Sequence, residues 1–331
     1  TCPFAEKPEA NAPVQWVEPR LVAEVKYQNW TDDRRLRAPV FLRLRDDIDP
    51  KDVRRSAATK PDSRHPVKSE IGEILAQLDN EKAGFNLAVG PHHIRLTHLD
   101  RVYWPADPAL KQPALTKRDL IRYFAEVSPF ILPHLADRPL TMIRMPEGIG
   151  GQRFFQKHWT QARPDFVRTI TVFSGHKDES HDYLLCDNLP TLLWLAQSGT
   201  LEFHVWHSRA TVAPDAVSKS ADYASSLESL EASVLNYPDY VVFDIDPYIY
   251  SGKEAPGREP ELNTVAFEKG KEIAFRLRDL LHAMSLEPIV KTSGKTGLHV
   301  FVPIRRTIDF AAAREISEGV GRHLMRLHPG D

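Results

Sequence analysis

The order of strand-like and helix-like segments predicts an α/β or α+β domain. Three observations carry that expectation. YVVFDIDP, at 240–247, reads as a buried strand ended by Pro247. TVAFEKGKEIAFRLRDLLHAMS, at 264–285, carries Ile273, Leu277, Leu280, Leu281 and Met284 at helical spacing. EPIVKTSG and LHVFVPI then read as two strands joined by a glycine-containing turn. At 331 residues the chain exceeds the usual single-domain size, so one large domain with appended pieces is expected.

The remaining elements follow from the same local rules. LVAEVKY, near the front, alternates as a strand before a polar turn. KDVRRSAATKPDSRHPVKSE is charged and almost free of large apolar residues, which predicts a linker over 51–90 and a main body starting near Gly90. Thr116 with Asp119 three residues on forms a capping-box pattern, and Leu120, Tyr123, Phe124 and Val127 make a helical stripe behind it. NLPTLLWLAQSG reads as a helix entered at Asn188 and closed by Gly199. LEFHVWH alternates as a strand, with Leu201, Phe203 and Val205 on one face and Glu202, His204 and Trp206 on the other. The Ala/Ser-rich stretch 208–238 reads as a surface insertion with short helical pieces, and Asp309 caps a last helix running to about Met325.

Composition excludes several classes. Hydrophobic residues make up 42% and charged residues 27%, as in an ordinary soluble globular protein. No apolar run is long enough to cross a bilayer and the N-terminus lacks the order of a secretory signal, so no membrane partner and a cytoplasmic location are expected. Cys2 and Cys186 fit neither a disulfide framework nor a zinc cluster. The formal net charge of -2 gives no general electrostatic case for nucleic acid, so such a case must come from local constellations.

Three constellations could carry chemistry. Asp244 and Asp246 lie two residues apart on one strand and so point to the same side of the sheet. Paired carboxylates repel unless a cation sits between them, and hard divalent ions take oxygen ligands. The apolar approach Val241, Val242, Phe243 favours a metal site over the alternative, a solvated strand end with Asp246 opening a turn. TSGKTGLH, Thr292 to His299, gathers a hydroxyl, a cation, flexible amides and an imidazole in one turn, an inventory suited to a triphosphate. A P-loop would require glycine at position 289, where Ile289 stands, and a helix after the turn, where a strand follows. The alternative is a hairpin turn with no ligand. RFFQKHW, at 153–159, interleaves Arg153, Lys157 and His158 with Phe154, Phe155 and Trp159, a pattern that can grip phosphates while stacking on bases; the alternative is an ordinary strand with one buried Phe. His204 is ambiguous between packing and function, and His92 and His93 read as surface loop residues.

In order along the chain, RVYWP, TKRDLIRYF, RPLTMIRMPEG, RFFQKH, LEFHVW, PDYVVFDIDP and TSGKTGLHVFVP resemble the motifs of DNA ligase D polymerase domains, members of the archaeo-eukaryotic primase superfamily. The resemblance covers roughly 91–328. It implies an α+β primase-like fold, with a largely antiparallel sheet and flanking helices, and a metal-dependent nucleotidyltransferase of non-homologous end joining. By the same resemblance, Asp244 and Asp246 match metal-binding catalytic carboxylates taking Mn2+ or Mg2+. His204, Ser293, Lys295, Thr296, Gly297, His299 and Lys157 match nucleotide-binding positions, for NTP or dNTP substrates. Phe154 and Phe155 match an aromatic pair that packs against base and template. Arg101 and Lys117, with His98 where an asparagine is common, match positions that recognise a downstream 5′-phosphate, and Arg144 joins the DNA-binding set. Implied partners are double-stranded DNA ends with a 5′-phosphate, a ligase domain in the same polypeptide and a Ku-type end-binding protein, at a nucleoid-associated location.

LVAEVKYQNWT and LRAPVFLRLRDD resemble the end of the oligonucleotide-binding domain of ATP-dependent DNA ligases, with Ile48 replacing the lysine of the terminal RxDK motif. The expected organisation is therefore a ligase fragment over 1–50 as a small β-rich piece, a linker over 51–90 and a polymerase domain over 91–331. No K-x-D-G adenylation motif occurs, so ligation by this chain is not expected. The family's third carboxylate lies on a strand beyond the last helix, past Asp331, and a two-carboxylate site is expected to hold its ions weakly. A DNA-end-binding or bridging module that supports a ligase is the alternative reading. A DxD glycosyltransferase would share the paired acids but not the order of the other motifs.

Overall fold

The computed structural model describes residues 20–26, 40–45, 65–175, 177–247 and 262–329. Cys2, Ile48, residues 51–64 of the expected linker and residues 248–261 lie outside them. Two compact units are present, Thr1–Val67 and Lys68–Asp331. In the first, β1 (Val22–Lys26) pairs antiparallel with β2 (Val40–Arg45), as the alternation in LVAEVKY predicts.

The second unit opens inside α1 (His65–Leu78), which is followed by a hairpin of β3 (Phe85–Val89) and β4 (His92–Leu96). Ile74, Leu78, Leu87 and Val89 are buried in the main core, with Ile71 and Leu75 packed against it. The body therefore begins well before Gly90. The charge count over 51–70 hides a helical stripe, Ile71, Ile74, Leu75 and Leu78, that starts just beyond it. His92 and His93 belong to β4, not to a loop, and the His92 ring stands 4.9 Å from that of Phe166.

Next come β5 (Val102–Trp104), β6 (Leu115–Thr116) and α2 (Lys117–Leu135). The capping box at Thr116 is formed: its side chain accepts from the Asp119 amide, and the Asp119 carboxylate accepts from the Thr116 N–H at 2.7 Å. Leu120, Ile121, Phe124 and Ala125 are buried, whereas Tyr123 is exposed and does not belong to the buried stripe. Five strands form the first sheet: β7 (Leu140–Arg144), β8 (Phe154–Gln156), β9 (Arg168–Ser174), β10 (Glu179–Leu185) and, after α3 (Leu189–Gln197), β11 (Thr200–Val205). The order is β11-β7-β10-β9, with β8 also pairing β7, and every pairing is antiparallel. Helices α2 and α3 cover one face through Phe124, Leu189, Leu192, Leu193, Phe203 and Val205.

The segment 208–238 contains α4 (Leu227–Ala232) and a short 3₁₀ turn, Val234–Asn236. It is more than a surface insertion, because Ala210 and Leu235 are buried with Ile170, Val172 and Leu185 against the other side of the first sheet. A second sheet follows from β12 (Tyr240–Ile245), α5 (Thr264–Ala283), β13 (Ile289–Thr292) and β14 (Leu298–Pro303), in the antiparallel order β12-β14-β13, and the described chain closes with α6 (Phe310–Leu327), capped by Asp309. Leu277 and Leu281 of α5 and Val320 of α6 pack behind this sheet on Val300 and Val302. The mixed helix and antiparallel-sheet architecture is the α+β fold the resemblance implies.

Candidate active site

Strand register places the acidic pair. Asp244 stands opposite His299 and Ile245 opposite Leu298. Val241, Phe243 and Ile245 pack toward the helices, so alternation sends Val242, Asp244 and then Asp246 to the open face. The Asp244 side chain is 61% exposed, with the His299 Nε2 3.4 Å from its Oδ1.

The glycine turn folds against the same strand end. The Ser293 N–H donates to the Gly297 carbonyl at 2.8 Å, while the Ser293 Oγ accepts from the amides of Gly297 at 2.9 Å and Lys295 at 3.2 Å. Gly294 takes a φ of +90°, which glycine adopts without strain. Thr296 is 5% exposed and its hydroxyl donates to Asp246 Oδ1 at 3.3 Å. A Cβ on Gly297 would lie 2.7 Å from Asp246 Oδ1 and closer still to the Ile245 carbonyl oxygen. Only glycine lets the turn approach the carboxylates this closely. Gly297→Ala is expected to cost about 1–3 kcal/mol of stability by overpacking, read as a lowered denaturant midpoint, and to move the turn away from Asp246.

The donor set suits a hard divalent ion. Asp244 and Asp246 supply carboxylate oxygens on one face. Among the described residues no group of three or more His, Cys, Asp or Glu side chains assembles, and magnesium-type sites commonly combine one or two carboxylates with substrate phosphates and water. The turn that would meet those phosphates is already in contact with Asp246.

A second group of predicted residues lies on the first sheet. Ile143 of β7 is flanked by Glu202 and Phe155, and Thr141 by His204, so these side chains share a face. His204 is exposed, not packed, and its Nε2 lies 3.1 Å from Glu202 Oε2, while Arg153 bonds the other Glu202 oxygen at 2.9 Å. The Lys157 ammonium stands 5.7 Å from the Phe155 ring centroid. Phe154 pairs in register with Arg144 and leaves the opposite face of β8. The two phenylalanines therefore serve different surfaces. His207, just beyond β11, places its ring 6.3 Å from that of Phe301 on β14, which ties the His204 end of the first sheet to the open face of the second.

Arg101, Lys117 and Arg144 converge in a third group. The Arg101 guanidinium donates to the Pro146 carbonyl at 2.8 Å, Arg144 donates to the Ser198 carbonyl at 3.1 Å and to Gln156 Oε1 at 2.8 Å, and the Lys117 Nζ donates to the Thr97 carbonyl at 3.1 Å. His98 follows Thr97 with a φ of +54°. None of the three cations has an ion-pair partner among the described residues. Lys117 is 5% exposed, and burial, reinforced by Arg101 and Arg144, lowers its ammonium to about 8. Lys117 is buried and Arg101 and Arg144 are partly exposed, so like charges held by neutral carbonyls stand together with the least exposed of them short of a counter-charge. Tyr103, whose hydroxyl donates to the same Pro146 carbonyl at 3.1 Å, belongs to this group; in sequence it stands only within the RVYWP motif, with no role assigned.

Residues 116–331 match the LigD primase-polymerase domain model. The chain belongs to the LigD primase-polymerase family. Residues 1–48 match the C-terminal region of ATP-dependent DNA ligases. The multifunctional non-homologous end joining protein LigD of Pseudomonas aeruginosa is 28% identical over 330 residues, covering 99% of this chain and 32% of that protein. The bifunctional non-homologous end joining protein LigD of Bacillus subtilis is 27% identical over 237 residues, covering 71% of this chain and 31% of that protein. This chain thus spans about a third of the length of these LigD relatives. The polymerase domain from Mycobacterium tuberculosis Ligase D, solved in complex with DNA, superposes with a TM-score of 0.54 at 27% identity, covering 71% of this chain and 69% of that one.

Sequence reasoning assigned no role to Glu202 or Tyr103. Glu202 could have been found from its two-residue spacing to His204 on one strand. Among the described residues no helix is long and apolar enough to cross a membrane.

Proposed function

We propose that this LigD primase-polymerase chain adds nucleotides to a primer 3′-hydroxyl at a DNA end, as a metal-dependent nucleotidyltransferase of non-homologous end joining. The observation that carries this reading is the contact of the glycine turn with the acidic pair, through Thr296 and Gly297 on Asp246. The turn's amides, Ser293 and Lys295 would take the triphosphate, and His299 and His204 would flank it. Asp244 and Asp246 would hold Mn2+ or Mg2+, which, when bound, neutralises phosphate charge and lowers the pKa of the attacking hydroxyl. The 3′-hydroxyl gives up its proton to solvent, a bond forms between the 3′-oxygen and the α-phosphorus, the bond from the α-phosphorus to the α–β bridging oxygen breaks, and pyrophosphate leaves.

Phe155 would stack on the base at the nucleotide face, and Phe154 would meet DNA on the Arg144 side. Arg101, Lys117 and Arg144, with His98 at the rim, would bind the 5′-phosphate that bounds a gap. The partners this reading implies are DNA ends, a ligase domain in the same polypeptide and a Ku-type end-binding protein, at a nucleoid-associated location. The test is extension of a gapped duplex bearing a downstream 5′-phosphate, with NTP or dNTP and manganese. Absence of metal-dependent incorporation would overturn the reading.

The cation cluster gives a pH prediction. Lys117 is protonated below about 8, so preference for a 5′-phosphate over a 5′-hydroxyl end is expected to weaken as pH rises through that value, measured by fluorescence anisotropy at fixed salt. The same lowered value means the unfolded chain binds the extra proton between about 8 and the ordinary lysine value, so this group's contribution to stability rises with pH across that window. Lys117→Met should remove the pH dependence of binding.

A further inference from the structure

On the open face of the second sheet, the row that contains Asp244 and His299 does not end at His299. Lys291 of the edge strand β13 stands directly opposite His299, so Asp244, His299 and Lys291 form one line across three strands. Directly opposed residues in an antiparallel pair project to the same face. The Lys291 ammonium donates to the Thr292 carbonyl at 3.2 Å, at the first residue of the glycine turn, and lies 6.0 Å from the centroid of the Phe301 ring on the same face. Burial lowers its ammonium below the usual lysine range, and the Asp244 charge acts against that, so the two groups are within electrostatic reach. Lys291 makes no ion pair among the described residues.

We propose that Lys291 binds the phosphates of the incoming nucleoside triphosphate from the edge strand, beside the glycine turn. This rests on the nucleotidyltransferase reading above. With the carboxylates occupied by a divalent ion, the cation at the far end of the row meets the anionic tail of the nucleotide. His299 lies between them and keeps Lys291 from neutralising Asp244 directly. A lysine that merely guards a sheet edge against strand pairing would also be exposed, but its removal would change association of copies and leave nucleotide affinity alone.

The test is equilibrium binding of ATP and of AMP to the full chain by calorimetry, with calcium as the divalent ion so that binding is read without turnover. Lys291→Met is expected to weaken ATP binding by about tenfold or more, the loss of one charge-assisted contact, while AMP binding changes little. Lys291→Arg keeps the charge and should restore most of the ATP affinity. Thermal unfolding of each variant checks that the exposed substitution leaves the fold intact. Unchanged ATP affinity in Lys291→Met, or equal losses for ATP and AMP, would overturn the inference alone. An unaltered chain that binds neither nucleotide would overturn the underlying functional reading and this inference with it.

Discussion

Asp244→Ala is expected to reduce manganese-dependent nucleotide incorporation on a gapped duplex by roughly 10²–10³-fold or more, the scale seen when one preorganised electrostatic group is removed from a transition state. The loss should fall on incorporation and not on stability. Asp244 is exposed, is not a member of the hydrophobic cluster behind the sheet, and among the described residues its close partner is His299 at 3.4 Å. Removing it also relieves repulsion between neighbouring carboxylates, so the variant should unfold no earlier than the unaltered protein. Rapid-quench incorporation and thermal unfolding on the same samples check both halves. Incorporation within a fewfold of the unaltered protein would remove Asp244 from the machinery.

The largest loss of stability is expected at Arg138→Ala. Arg138 donates to both Asp239 oxygens, at 2.8 and 2.6 Å, and to the Trp206 carbonyl at 3.1 Å. The side chains are 7% and 11% exposed. This bidentate pair joins the entry to β7 in the first sheet with the entry to β12 in the second. Truncation leaves a buried carboxylate, a change that costs about 3–5 kcal/mol. Arg209, whose Nε is 2.9 Å from Asp239 Oδ2, offsets part of it, so the expected loss is about 3 kcal/mol. Denaturant unfolding measures it. Replacing both partners with apolar residues of similar volume should cost less than Arg138→Ala alone, because no carboxylate is then left buried and Arg209 keeps Asp215 at 3.2 Å. Arg306 makes a comparable pin, buried against Asp215 and the carbonyls of Thr211, Val212 and Ala213.

Much of the site was legible from two periodicities. The two-residue repeat put Asp244 and Asp246 on one face and separated His204 from Phe203. The helix-cap chemistry of Thr116, Asn188 and Asp309 located three helix starts to the residue. Where composition replaced periodicity, the reading failed. Polar content over 51–90 masked the start of the body, and Ala/Ser content over 208–238 masked a segment that covers a sheet face. Tyr123 illustrates the finer limit: helical spacing brought it into the stripe, but packing at its side of α2 leaves it in solvent.

The amino-acid sequence alone determined the helices that start at Thr116, Asn188 and Asp309, the helix over 264–285, the strands around His204, Asp244, Val290 and Val300, which face of β12 carries the acids, and that the turn after β13 must contain glycine. These follow from hydrogen bonds and sterics between residues close in the chain. Only the tertiary structure decided that Arg101, Lys117 and Arg144 meet, that Gly297 packs on the Asp246 strand end, and that Lys291 completes the row begun by Asp244. Such meetings depend on strand register and on helices packed across long loops, and no local rule encodes which distant side chains the buried core will bring together.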